Sequence, residues 1–91
     1  MTVLLFATYR EITKCKQVDL PAPKNVWALL EDISNRFGAR MREELFSPDG
    51  AQISDTAIVM VNGRHIEHLS GGDTPLADRD QVALFPLVAG G

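Results

Sequence analysis

The sequence predicts an α+β fold, a mixed sheet with one main helix on one face, and three observations point there. The two most apolar strand-like runs, V-L-L-F-A near the start and V-A-L-F near the end, stand at opposite ends of the chain. Between them the apolar period changes from that of a strand to that of a helix only once clearly. In the second half, Asn62-Gly63 between apolar residues marks a two-residue hairpin.

The elements follow in order. Residues 2–8, T-V-L-L-F-A-T, are almost continuously apolar, which predicts a central strand buried on both faces. Residues 9–14 are polar and read as a turn. Residues 16–20, K-Q-V-D-L, alternate well enough to be the antiparallel partner that closes a hairpin, and Pro21 and Pro23 end the pairing. Val26, Leu29, Leu30, Ile33 and Phe37 then share one helical face, with Asn25 as N-cap and Gly38 just past the end. Glu31, Asp32 and Arg36 read as its solvated side. Residues 41–46 add a short second helical turn before the turn signature Ser47-Pro48-Asp49-Gly50.

Residues 57–61, A-I-V-M-V, form the next strand, and Asn62-Gly63 turns it into a short strand over residues 64–68. Gly71 and Gly72 mark a loop. Residues 81–85, Q-V-A-L-F, are the last strand, entered through Asp78-Arg79-Asp80 and stopped by Pro86. This order of strands around one helix closes as a mixed sheet with the first and last strands parallel at its centre. That arrangement is the β-grasp, or ubiquitin-like, roll. Residues 1–86 form the β-grasp domain and residues 87–91 a C-terminal tail.

Composition bounds the function. A chain of 91 residues makes one small domain, able to bury roughly 64% of its unfolded surface. With 45% hydrophobic and 23% charged residues, it is neither disordered nor fibrous. No apolar run is long enough to cross a bilayer, and the first strand lacks the flanks of a signal peptide, so the chain reads as cytoplasmic. The net charge of −3 supplies no basic field for a phosphate backbone, so nucleic acid is not an expected ligand and a basic protein partner is.

Several residues carry candidate chemistry. Cys15, the one cysteine, excludes an internal disulfide; flanked by Lys14 and Lys16 it could hold a persulfide, but it reads better as a hairpin-loop cysteine. His65 and His68 have H-x-x-H spacing, which on a strand puts them on opposite faces, with no further ligand set; no metal site is expected. Asp78 and Asp80 read as turn-forming carboxylates, and Arg10 with Glu11 as an exposed pair of little energetic value. The unusual feature is that two of the seven glycines are the last two residues, Gly90 and Gly91.

Taken together, V-L-L-F-A-T-Y-R-E (residues 3–11), V-N-G-R (61–64), D-T-P-L-A-D-R-D-Q-V-A-L-F-P (73–86) and V-A-G-G (88–91) resemble the MoaD/ThiS family of ubiquitin-like sulfur carriers. The match is to the small subunit of molybdopterin synthase, archaeal-type branch included, and it spans essentially the whole chain. Three positions depart from the family pattern: Lys14 and Arg79 stand where glycine is common, and Leu87 where a second proline is. Arg79 would then adopt a turn geometry that glycine usually supplies.

The resemblance implies a protein that is not an enzyme alone. It binds no cofactor; ATP is used by an adenylyltransferase related to the ubiquitin-activating enzymes, which adenylates the carboxylate of Gly91. Sulfur replaces AMP, and the Gly91 thiocarboxylate donates sulfur in molybdopterin or tungstopterin synthesis, with the catalytic groups on the synthase large subunit. Gly90 and Ala89 would thread the partner's channel, since glycine has no Cβ near the reacting carbon. Phe85, Pro86, Leu87 and Val88 would supply apolar anchorage beside it; for Phe85 and Pro86, a core aromatic and a strand stop are equally good readings. The same adenylate attacked by an amine would make a protein modifier, and a carrier for thiamine or another sulfur pathway is a further alternative.

Overall fold

In the computed structural model, residues 1–87 are described. They form a five-stranded mixed sheet of order β2-β1-β5-β3-β4. The strands are β1 (Thr2–Leu5), β2 (Gln17–Asp19), β3 (Ala57–Val61), β4 (Arg64–His65) and β5 (Gln81–Pro86). Three helices accompany them, α1 (Ala7–Thr13), α2 (Val26–Phe37) and α3 (Ala39–Leu45). β1 and β5 run parallel at the centre, with Val3 beside Val82 and Leu5 beside Leu84. β2 and β3 flank them antiparallel. This is the ubiquitin-like β-grasp.

The long helix forms where the period predicts it. Asn25 caps it, its side-chain oxygen accepting from Ala28 N–H at 2.9 Å, and Val26, Leu29, Leu30 and Ile33 are fully buried. They meet Val3, Leu5, Val59, Val82 and Leu84 from the sheet. Gly38, at φ 99°, turns the chain directly from α2 into α3.

Five expectations are corrected. Residues 9–14 are not a turn, because Tyr9, Ile12 and Thr13 fall on one side of a helical turn, α1, and are buried or half-buried there. β1 and β2 therefore pair in the expected direction, but the connection is a helix, not a hairpin loop. The strand over residues 64–68 stops after His65, and Ile66–His68 coils into a 3-10 turn that buries Ile66. Gly71–Asp73 likewise form a 3-10 turn.

The fourth correction concerns β1, whose burial alternates: Val3 and Leu5 are buried, Thr2 and Leu4 only partly. Helices cover one face of the sheet alone, so a central strand here keeps a half-wet side. Arg79, finally, has no positive φ; among non-glycine residues that geometry occurs at Ala7, Lys14 and Asn62. Of the two departures from a family glycine, only Lys14, at φ 63°, occupies a left-handed position. It closes α1, its N–H bonding to the Arg10 carbonyl at 2.8 Å.

Candidate functional site

The site begins where β5 leaves the sheet. Val82 and Leu84 point into the core, so the strand alternation turns Ala83 and Phe85 to the face without helices. The register sets Leu4 and Met60 beside Ala83, and Ile58 beside Phe85. These half-buried apolar side chains make the uncovered face continuous. Phe85 is thus no core aromatic: it packs edge-on against Phe6, with ring centroids 6.2 Å apart and planes at 86°.

The sequence reading puts Phe6 in a strand over residues 2–8 buried on both faces, but β1 ends at Leu5 and Phe6 is exposed; among the described residues the other exposed large apolar side chain is Leu87, at 58%. The available signal was the F-A-T-Y-R-E segment itself, which follows a strand with no apolar partner two residues on. Phe6 is fixed on three sides. Its N–H donates to the Leu84 carbonyl at 3.1 Å, its ring meets Phe85, and the Arg10 guanidinium carbon lies 5.8 Å from its centroid. Arg10 also donates from Nε to the Leu5 carbonyl at 3.3 Å. Arg10 is therefore tied to the aromatic pair, not to Glu11.

Pro86 is half-buried in the last register position, opposite Ala57. Leu87 N–H donates to the Thr56 carbonyl at 2.7 Å, so the backbone is held one residue beyond the strand while the Leu87 side chain faces solvent. Val88, Ala89, Gly90 and Gly91 lie outside the described residues. The described part of the site is thus an apolar platform of Phe6, Phe85, Ile58 and Leu87 at the end of β5. It contains no nucleophile, no acid and no base.

The remaining candidates fall elsewhere. Cys15 is half-buried against the core, and its N–H donates to the Thr13 hydroxyl at 3.2 Å, a packed structural position. His65 and His68 are not on opposite faces; because β4 ends between them, their rings come within 6.4 Å of each other, centroid to centroid. His65 Nδ1 accepts from Glu67 N–H at 3.0 Å. Among the described residues no three His, Cys, Asp or Glu side chains are grouped to hold a metal ion.

Asp80 serves its turn as expected, whereas Asp78 does not: its carboxylate ties the segment after β2 to the approach to β5. Asp78 accepts from Ala22 N–H at 2.8 Å. Asp80 takes the Asn62 side-chain amide at 2.9 Å and Ala77 N–H at 2.8 Å. Those donors, the Asn62 amide foremost, hold the Asp80 carboxyl below the usual carboxylate range. On α2, Arg36 pairs with Asp32 at 3.0 Å, one turn apart, on the exposed side of the helix.

The fold and the platform define a small ubiquitin-like protein with an exposed apolar patch at the end of its central strand β5. The chain belongs to the ThiS family, whose model matches residues 3–91, a family of ubiquitin-like sulfur carriers and modifiers. Small archaeal modifier protein 3 of Haloferax volcanii is 33% identical, covering 94% of this chain and 92% of that protein. Small archaeal modifier protein 1 of Methanosarcina acetivorans superposes with a TM-score of 0.88 at 25% identity, over 99% of this chain and 94% of its own. A putative molybdopterin converting factor subunit 1 from Pyrococcus furiosus does so at 0.70 and 30% identity, over 96% and 95% respectively. Among the described residues no helix is long and apolar enough to cross a membrane.

Proposed function

We propose that this protein is a cytoplasmic sulfur carrier that works through a thiocarboxylate on Gly91 and supplies sulfur for molybdopterin or tungstopterin synthesis. The observation that carries the reading is the platform of Phe6, Phe85 and Leu87 at the exit of β5, in a chain that ends in Gly90-Gly91. A body too small to enclose its own cleft can deliver its end into another protein's. Residues 1–86 stay outside as the β-grasp body, and residues 87–91, fully extended, reach about 17 Å into the partner. Gly90 and Ala89 thread the channel, and Phe85, Pro86, Leu87 and Val88 anchor it.

The chemistry balances at the terminal carbon. A Gly91 carboxylate oxygen attacks the α-phosphorus of ATP on a ubiquitin-activating-enzyme-like adenylyltransferase, and pyrophosphate leaves. Sulfide then attacks the acyl carbon; a C–S bond forms, the C–O bond to AMP breaks, and AMP departs. The molybdopterin synthase large subunit supplies the groups that pass this sulfur to the pterin precursor. Holding the terminus at the acceptor raises its effective concentration.

Resemblance to small archaeal modifier protein 3 favours a second reading, a protein modifier in which a lysine amine takes the adenylate and leaves Gly91 in an isopeptide bond. Service to thiamine or another sulfur pathway is the third. Sulfur-transfer assays with candidate activating enzymes, ATP and sulfide separate these from a role for the thiol. Deleting Gly91 abolishes transfer and leaves the circular dichroism spectrum unchanged, whereas Cys15→Ala has no effect on transfer. The reverse pattern would place the sulfur on Cys15.

A further inference from the structure

Asn62 and Gly63 make the two-residue turn between β3 and β4, both with positive φ, 52° and 84°. Glycine suits the second position because it has no Cβ, and for the same reason nothing screens its backbone nitrogen. Of the three asparagines in the chain, Asn62 is the one followed by glycine, and both turn residues are exposed. An electrophile, the Asn62 side-chain carbonyl carbon, and a nucleophile, the Gly63 nitrogen, therefore share one exposed turn.

The fold holds that side chain across to the next strand. Asn62 Nδ2 donates to Asp80 Oδ1 at 2.9 Å, and Asn62 Oδ1 accepts from Gln81 N–H at 3.0 Å. Asp80 is itself fixed, since its other oxygen accepts from Ala77 N–H at 2.8 Å. The Asn62 backbone N–H also donates to the Gln81 carbonyl, at 2.8 Å. Both polar atoms of the amide are thus bonded at the entry of β5. To reach the Gly63 nitrogen, the side chain must fold back along its own peptide bond, which breaks both of these bonds.

We propose that Asn62 is a site of hydrolytic deamidation, gated by the clamp that Asp80 and Gln81 place on its side-chain amide. When the turn opens, the Gly63 nitrogen attacks Asn62 Cγ; a new C–N bond closes a succinimide, the bond to the side-chain nitrogen breaks, and that nitrogen leaves as ammonia with the Gly63 amide proton. Water then adds to either succinimide carbonyl and opens the ring to aspartate or isoaspartate, the acid proton passing to ammonia. Both products disturb the entry of β5. Aspartate sets an oxygen against Asp80 where a donor stood, and isoaspartate adds a methylene to the backbone of a turn that the Val61–Arg64 pairing fits to two residues. The change falls on the strand that carries Phe85.

Peptide mapping by mass spectrometry, on the full chain incubated in mildly alkaline buffer, tests the site and its gate. Residue 62 should become about 1 Da heavier, and should do so roughly tenfold or more slowly in the folded chain than in the same chain unfolded in urea. Asp80→Asn leaves one acceptor for two donors, and should speed the conversion of folded protein about fivefold. Asn62→Asp, which reproduces one product, should lower Tm by about 4 °C. Equal rates in folded and unfolded chain, no acceleration in Asp80→Asn, conversion at Asn25 or Asn35 ahead of Asn62, or an unchanged Tm in Asn62→Asp would each overturn the proposal. Comparing folded with unfolded chain needs no substitution, so it decides the gate even where a variant fails to fold.

Discussion

Phe85 faces away from the core because its neighbours Val82 and Leu84 are the ones that face it, and the ring finds Phe6 on the uncovered side. A half-wet aromatic pair adds little to folding, and in the proposed function it would exclude water from the partner's surface. Phe85→Ala is therefore expected to lower stability by only about 1 kcal/mol while raising the KM for the activating enzyme roughly tenfold or more. Steady-state adenylation kinetics alongside thermal denaturation check both parts. Tyr9 is the opposite case: its ring is fully buried, and its hydroxyl has no hydrogen-bond partner among the described residues. Burial, with Glu44 nearby, pushes its pKa up to about 12. The phenol thus ionises more readily in the unfolded chain, so its contribution is intact below pH 10 and is lost as pH rises from 10 toward 12. Tyr9→Phe should raise stability by about 1 kcal/mol at neutral pH and flatten the alkaline fall, as urea titrations at pH 7 and pH 11 would show.

At the scale of elements, α2, β3, the Asn62-Gly63 turn and β5 were legible because each has a local signature that tertiary packing only reinforces. Helix α1 was not, since its buried side is one turn long and includes Thr13, whose hydroxyl bonds to the Tyr9 carbonyl at 2.9 Å and so hides a polar group in an apolar contact. The short β4 was overread for a related reason: Ile66 looks like the next inward strand residue, yet reaches the core from a 3-10 turn. Lys14 ends α1 in a left-handed conformation that glycine adopts without strain. Lys14→Gly is expected to stabilise the fold by about 1 kcal/mol, visible as a rise in Tm, and to leave sulfur transfer unchanged.

For the molecule as a whole, two apolar runs at opposite ends of the chain and one helix sufficed to place the first and last strands parallel at the centre of a mixed sheet, because few topologies bury two apolar strands and an amphipathic helix together. The candidate site was legible differently. Leu87 and Phe85 were named through the family resemblance, while Phe6 and Arg10 join them only through the parallel pairing of β1 with β5, which no local pattern encodes. Gly91 lies outside the described residues, and the role proposed for it rests on the chain's membership of the ThiS family and on the apolar platform at the end of β5. The central claim is that Gly91 carries sulfur, and intact mass of the protein isolated from its own cells tests it most directly. Replacement of one terminal oxygen by sulfur predicts a species about 16 Da heavier, lost on deletion of Gly91 and retained in Cys15→Ala. An unshifted mass throughout, with Gly-Gly remnants of this chain on the lysines of other proteins, would contradict the carrier reading and make the protein a modifier.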